Sequence, residues 1–327
     1  MKQKELIFYL EGKEFQQSTN GFVPFDESTM DRGRSIFDAI ELCNGVFIYI
    51  DEHLERTYNA TRTFGAPLEK IFSREEFKNK LDDLKPIITD CFGEDAVVKL
   101  EIIVSRQSNV FLCVLPVPIE WLNPKLELVV AAIQYRYLLQ SLKYCGRYAE
   151  PLIISELAKN QVDSDIEECL LYSKTGKGGR NMTLELSNSA FFVIDDKNRL
   201  WGAGYPDVLQ STTAKVIKKI AKDDMNDINI PKKERISAIM GVGFPVNVSG
   251  YKVKEMFSTS YSRILPIVRK LIFVDVRNEK TGIVIKRVRG IKDIVVKGEA
   301  PITDRLRDRF QKEVKNYIDN KKNEKKI

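Results

Sequence analysis

The sequence predicts an α+β protein of two domains. Three observations lead there. A chain of 327 residues is about twice the usual domain length. Short alternating β segments and amphipathic helices follow one another without regular βαβ order, which argues against a doubly wound sheet. A break rich in proline, Pro116-Val117-Pro118 and then Trp121-Leu122-Asn123-Pro124, interrupts the pattern a third of the way along. The expected organisation is a small domain over 1–118, a linker over 119–125, a large domain over 126–315 and a basic, flexible tail over 316–327.

Residues 5–10 alternate apolar and polar side chains, and Glu11-Gly12-Lys13 turns the chain so that 14–16 return as a second arm. Residues 36–42 and 46–50 flank Cys43-Asn44-Gly45, where Asn-Gly supplies the positive backbone angles of a tight hairpin turn. Residues 51–63 read as an amphipathic helix with Leu54, Tyr58 and Thr61 toward one side. A helix is predicted over 73–91, because Ser73-Arg74-Glu75-Glu76 has a capping pattern and Phe77, Leu81, Leu84 and Ile88 keep helical spacing. Apolar strands at 97–104 and 110–117 follow. Beyond the break come a strongly apolar strand at 126–133, a helix at 151–160 and a strand at 168–172. A hairpin pairs 191–194 with 200–201, a helix spans 212–222, and a strand lies at 255–257. Residues 176–179 read as a flexible insertion, and no repeat of solenoid length is visible.

Composition narrows the function classes. Hydrophobic residues at 43% and charged residues at 30% are ordinary for a globular protein and exclude disordered, collagenous or coiled-coil chains. The net charge of +6 is mild and gathers toward the Lys- and Asn-rich end, so it points to a solvated terminus and not to a nucleic-acid partner. No apolar run reaches the roughly 18 residues of a spanning helix, and the first ten residues are too charged for a secretory signal. A soluble, cytoplasmic protein without a membrane partner is expected. Cys43, Cys91, Cys113, Cys145 and Cys169 are odd in number, scattered and without a CxxC pair, which favours free thiols over a disulfide framework. With His53 the single histidine, no metal site is expected, and a Ser-His-Asp triad has no other base to use.

Lys143 stands between Leu138-Leu139 and Tyr144, Cys145 and Tyr148. Burial there would depress its pKa and free the amine for Schiff-base chemistry; the alternative is an ordinary lysine whose head reaches water. Glu185, in Met182-Thr183-Leu184-Glu185-Leu186, is either a buried carboxylate with a partner or an exposed strand residue. Arg56 shares a helix with His53 and can act as a fork donor to phosphate. Gln210-Ser211-Thr212-Thr213 opens a helix, where backbone amides either receive an anion or are simply capped. Ser258-Thr259-Ser260-Tyr261 after the strand at 255–257 is a similar candidate.

The order and spacing of these segments resemble one family. Phe8-Tyr9-Leu10-Glu11-Gly12-Lys13-Glu14-Phe15 is similar to its opening hairpin, and Gly33 to Phe37-Asp38 to its G-D-G-x-F-E stretch, with Arg34-Ser35 in place of Asp-Gly. Asp51-Glu52-His53-Leu54-Glu55-Arg56 resembles its E-H-x-x-R helix. Lys143-Tyr144-Cys145-Gly146-Arg147-Tyr148 resembles the K-x-G-x-N-Y segment, with Arg147 for Asn, and Glu167-Glu168-Cys169-Leu170-Leu171-Tyr172 resembles D-E-A-L-L-L-D. The family is that of the class IV aminotransferases, the fold-type IV pyridoxal phosphate enzymes that include branched-chain aminotransferases, D-amino-acid aminotransferases and aminodeoxychorismate lyases. The similarity covers about residue 8 to about residue 314.

The resemblance implies a small α/β N-terminal domain, a larger β-barrel-like C-terminal domain of the D-amino-acid aminotransferase type, and pyridoxal 5'-phosphate as cofactor. It makes Lys143 the catalytic amine joined to the cofactor aldehyde. Cofactor binding falls to Arg56 at the phosphate, Tyr148 at the phenolic oxygen, Glu185 at the pyridine nitrogen, and Thr212, Thr213, Ser260 and Tyr261 near the phosphate. Phe37 and Lys99 are the substrate candidates, and Lys99 aligns with an arginine of the branched-chain enzymes. Departures cluster at the turns: Ala190 stands for Asn, Ser211-Thr212-Thr213-Ala214 for G-I-T-R, and Thr259-Ser260-Tyr261 for T-G-T. Amides persist through such changes, whereas lost glycines restrict close backbone approach. Three functions are compatible: an aminotransferase acting on an amino acid or related amine and a keto acid, a lyase of the aminodeoxychorismate type, or a non-catalytic homologue that binds a ligand or partner. A homodimer is expected by resemblance.

Overall fold

The computed structural model describes residues 5–18, 35–105, 107–134, 143–144, 149–175, 180–204, 207–209, 211–246, 251–259, 264–280 and 282–324. The chain divides into two compact units, one comprising residues 1–119, 142–147 and 313–327 and the other 120–141 and 148–312.

The first unit holds an antiparallel sheet in the order β2-β1-β6-β5-β3-β4. Strands β1 (Leu6–Glu11) and β2 (Glu14–Gln17) form the expected opening hairpin. Strands β3 (Ile36–Cys43) and β4 (Val46–Phe47) are joined through Asn44 and Gly45 at φ 51° and 73°, the left-handed conformation that Asn-Gly adopts most cheaply. Helices α1 (Ile50–Thr63), α2 (Arg74–Asp83) and α3 (Lys85–Phe92) precede β5 (Val97–Val104) and β6 (Val110–Pro116). Period-2 alternation along β5 buries Val98, Leu100, Ile102 and Val104, which pack with Leu54 and Tyr58 of α1 and Phe77 and Leu81 of α2. The single helix expected over 73–91 is two helices. The Ser73–Glu76 capping box is present in both directions, but Pro86 lacks an N–H and its ring opposes the carbonyl one turn back, so the helix restarts after Leu84.

The second unit is built on β7 (Glu127–Gln134), α4 (Ala149–Gln161), β8 (Ile166–Thr175), β9 (Arg180–Leu186), β10 (Ala190–Asp195), β11 (Arg199–Trp201), α5 (Thr212–Asn226) and β12 (Ala238–Met240). It continues with β13 (Pro245–Val246), β14 (Val253–Thr259), β15 (Ile267–Glu279), β16 (Gly282–Arg287), β17 (Ile294–Val295) and the start of α6 (Pro301–Glu324). The strands β10-β14-β15-β7-β8-β9 pair in turn, and β9 returns to β10 at Glu185↔Ala190, closing a barrel. Leu128, Val130 and Ala132 of β7 join Leu170, Tyr172, Phe191, Met256 and Phe273 in its filled interior. The alternate residues Ala131 and Ile133 face Ile154 and Ala158 of α4. This is the barrel-like domain that the family resemblance implies. Closure leaves few open edges to protect.

Two expectations about organisation need correction. Lys143 and Tyr144 belong with the first unit, because the Phe37 amide donates to the Lys143 carbonyl at 3.2 Å and Ile36 bridges Tyr144. Residues 316–324 are the end of α6 and not a flexible tail. Phe310, Val314 and Ile318 continue an i, i+4 row and are buried, and Tyr317 packs on Tyr49 with ring centroids 4.8 Å apart. The insertion expected at 176–179 lies outside the described residues. Cys43, Cys91, Cys113 and Cys169 form no disulfide, and Cys145 lies outside the described residues. Among the described residues no helix is long and apolar enough to cross a membrane.

Candidate active site

Strand β3 is covered by β4 only at Leu42 and Cys43, so the edge near Ile36 and Phe37 is open to another segment. Lys143-Tyr144 takes that edge through the Phe37–Lys143 backbone bond. The placement brings the Lys143 Nζ to 4.8 Å from the centre of the Phe37 ring and 3.5 Å from Asp38 Oδ1.

Asp38 is the hub. Along β3 it belongs to the row Ile36, Asp38, Ile40, Leu42, all of which are buried. Opposite it, α1 presents His53, Arg56 and Thr57, which share a helix face by their i, i+3 and i+4 spacing. Arg56 Nε donates to Asp38 Oδ2 at 2.8 Å while its NH2 group donates to Oδ1, making a two-pronged grip. His53 Nδ1 lies 3.0 Å from Asp38 Oδ1, Thr57 Oγ1 donates to Oδ2 at 3.3 Å, and the Ala39 amide donates to Oδ1 at 2.7 Å. Nδ1 also lies 3.0 Å from the Arg56 NH2 group. A neutral ring with its proton on Nδ1 serves the carboxylate and leaves that second approach as mere proximity.

The charges are mutually adjusted. Burial alone would raise the Asp38 carboxyl, but Arg56, Lys143 and His53 outweigh it and hold the group well below the ordinary carboxylate range. Burial pushes the Lys143 amine down to about 8; Asp38 resists the fall and Arg56 adds to it. Burial also lowers the His53 pKa against the pull of Asp38, which favours the neutral imidazole. The arrangement therefore holds a permanent anion, a permanent cation and an amine close to the protonation boundary on one patch of β3 and α1. Such an amine is a nucleophile at neutral pH, and an adjacent guanidinium can bind an anionic group.

Three residues singled out from the sequence thus come together: Lys143, Arg56 and Phe37. Lys99 sits on β5 and pairs with Glu101 at 2.7 Å, so its charge is already met by a neighbouring carboxylate. In the second unit Glu185 is buried on β9. Thr212 is buried and begins α5, Thr213 follows it, and Ser211 acts as a plain N-cap, accepting from the Ala214 amide at 3.2 Å. Tyr148, Ser260 and Tyr261 lie outside the described residues. Sequence reasoning passed over Asp38, although a carboxylate inside an apolar alternating row was a readable signal. It also left His53 and Thr57 without a role. Glu168, which was read only as part of a strand motif, is buried on β8 and pushed up to about 7 by burial, with Asn188 and Ser189 bonds opposing the shift.

No family profile matches the sequence, and no curated protein sequence matches it. Solved structures do. A fold-type IV transaminase from Curtobacterium pusillum is 12% identical with a TM-score of 0.68, the match covering 94% of this chain and 99% of that one. A putative branched-chain amino acid aminotransferase from Thermotoga maritima is 17% identical with a TM-score of 0.66, over 95% and 96% of the two chains. A hypothetical aminotransferase from Mycobacterium tuberculosis, solved in a form bound to pyridoxal phosphate, is 13% identical with a TM-score of 0.66, over 93% and 98%. Near-complete coverage of both chains in each pairing, joined to the barrel and the β3–α1 arrangement, establishes that this chain has the fold of the fold-type IV aminotransferases.

Proposed function

We propose that the protein is a pyridoxal phosphate-dependent aminotransferase that moves an amino group between an amino acid, or a related amine, and a keto acid. The observation that carries this reading is the Lys143 amine, held at about 8, in contact with Asp38 and Phe37 and joined through Asp38 to Arg56. These donors fit the cofactor: a near-neutral amine suits an aldehyde, and a guanidinium suits a phosphate. When bound, pyridoxal phosphate supplies a carbonyl that condenses with amines and a ring that accepts the electrons of a carbanion.

The chain's own residues then divide the work. Lys143 Nζ, unprotonated for part of the time at neutral pH, provides the covalent attachment and afterwards takes and returns a proton at the substrate carbon. Arg56 would hold the phosphate. Asp38 keeps Arg56 in one rotamer and supplies the negative charge that prevents Lys143 from falling further. The Phe37 ring covers the amine on its apolar side and limits the access of water. On the motif correspondences, Glu185 is assigned to the ring nitrogen and Thr212 and Thr213 to the phosphate, with Tyr148, Ser260 and Tyr261 as further cofactor contacts. A homodimer is the proposed assembly.

A second reading, a homologue without catalysis, draws support from the same cluster. Asp38 already grips the Arg56 fork, and the Ser211-Thr212-Thr213-Ala214 stretch that opens α5 has no glycine. Adding pyridoxal phosphate to the purified protein decides between them. The first reading expects a visible band that borohydride fixes on Lys143 and that Lys143→Ala lacks. A colourless protein with no labelled lysine supports the second. Turnover that requires a keto-acid acceptor separates an aminotransferase from a lyase.

A further inference from the structure

A cavity of about 530 Å³ opens on the second unit, lined by Asp196, Lys197, Asn198, Lys232, Lys233, Arg235, Ser237, Lys252, Val253 and Lys254. Six of these side chains are cationic and one is a carboxylate. The residues come from three separate segments: the β10–β11 turn, the loop before β12 and the approach to β14. Like charges gathered from distant parts of a chain repel, so something must hold them together. That element is Asn198, which is buried and left-handed at φ 57°. Its Nδ2 donates to the Lys233 carbonyl at 2.9 Å and the Arg235 carbonyl at 3.1 Å. Its Oδ1 accepts from Lys254 Nζ at 2.9 Å, and its carbonyl accepts from the Ser237 amide at 2.9 Å.

Further bonds brace the same frame. Ser237 Oγ donates to the Lys197 carbonyl at 2.6 Å, and the Asp196 amide donates to the Lys252 carbonyl at 2.9 Å. Buried Asp195 fixes the turn by accepting from the Lys197 and Arg199 amides. The backbone is thus braced and the heads of Lys197, Lys232, Lys233 and Lys252 are exposed, whereas Lys254 is held by Asn198 and Arg235 Nε donates to the Ile230 carbonyl at 2.6 Å. Among the described residues Lys197, Lys232, Lys252 and Lys254 form no ion pair, and Lys233 meets Glu234 only at 4.0 Å.

We propose that this cavity binds a compact chain of phosphate groups, either free or as the tail of a nucleoside triphosphate. Convergence favours a multiply charged ligand over a single anion, because several fixed cations gain from each added negative charge. The volume lies in the range of small-molecule sites. A nucleic-acid strand is disfavoured because the cations surround a concavity and do not form a stripe, and because among the described residues no aromatic side chain lines it to stack a base. None of the lining residues belongs to the Lys143 cluster, so the proposal stands apart from the aminotransferase reading.

The test is calorimetric titration with inorganic tripolyphosphate, ATP and a single-stranded oligonucleotide in turn. The expected result is saturable one-to-one binding of tripolyphosphate. It should weaken at least tenfold when salt rises from about 50 mM to about 300 mM, as screening requires. The paired substitution Lys232→Ala and Lys252→Ala, at exposed positions whose side chains take no part in the Asn198 frame, should weaken it by at least tenfold, with an unchanged circular dichroism spectrum and thermal midpoint confirming the fold. ATP binding as tightly as tripolyphosphate places the nucleotide tail as the source; ATP binding much more weakly places free polyphosphate. Absence of saturable tripolyphosphate binding at low salt overturns the proposal, as does binding that the paired substitution leaves intact. Oligonucleotide affinity that exceeds tripolyphosphate and grows with strand length overturns it in favour of nucleic acid.

Discussion

Asp38→Asn removes one charge and almost no volume from the hub of the candidate site. In the native protein the carboxylate accepts from Arg56 Nε at 2.8 Å, from the Ala39 amide at 2.7 Å and from Thr57 Oγ1 at 3.3 Å, and it is 1% exposed. Removing one member of a buried ion pair costs about 3–5 kcal/mol, because the remaining charge stays buried without compensation. The Arg56 and Lys143 side chains are each 14% exposed, so some solvation remains, and we take the lower figure of about 3 kcal/mol, roughly a hundredfold in the folding equilibrium. Urea unfolding of the purified protein measures it. The pH dependence fixes the cause. A carboxyl whose folded pKa is depressed contributes stability above its unfolded pKa of about 3.9 and loses it as pH falls toward the folded value. The deficit of Asp38→Asn should therefore be constant from neutral pH down to about 5 and shrink below about 4. The Lys143 amine, titrated by the pH dependence of its reaction with an amine reagent, should fall further below about 8, since Asp38 is what raises it. A variant as stable as the native protein, or one whose Lys143 pKa is unchanged or higher, refutes the hub.

Further outcomes follow from the same physics. Because Lys143 is held at about 8 against an ordinary 10.5, the unfolded chain binds the extra proton between those values; native stability should rise across that window by about 3 kcal/mol, and Lys143→Met should lack the rise in thermal unfolding. Glu168, pushed up to about 7 from 4.5, keeps a proton that the unfolded chain has lost, so stability should fall with pH over that interval. Glu168→Gln should abolish the fall and be the more stable protein at about pH 8; a denaturation midpoint below the native one at that pH counts against burial as the cause. At Gly243 a Cβ would lie 1.6 Å from the Thr183 carbonyl oxygen, so Gly243→Ala should lower stability by about 3 kcal/mol through forced separation of β13 from β9, and an unchanged melting point would show that the contact relaxes freely. His53, with its pKa lowered by burial, should be less protonated in NMR titration at about pH 6.5 than a solvated imidazole, which is half protonated there.

Much of the first unit was legible from local pattern. Asn44-Gly45 can turn a hairpin by itself, and the Ser73–Glu76 cap is a contact within four residues, so both appeared as expected. The helix over 73–91 misled because periodic apolar residues run straight through Pro86, and periodicity does not register a missing amide. The end of the chain misled in the opposite sense. Its lysines and asparagines concealed the Phe310, Val314, Ile318 row that keeps it helical and buried on one side.

The sequence by itself determined the hairpins, the placement of His53 and Arg56 on one helix face, and the identity of Lys143 as a lysine in apolar surroundings, since each depends on neighbours within a few positions. Only the tertiary structure decided that Lys143 docks on the edge of β3, that Asp38 gathers both cations, and that Asn198 ties three basic segments around one cavity. Those contacts join residues from 18 to about a hundred positions apart. Their energy depends on distance and solvent exclusion, which a linear pattern does not record.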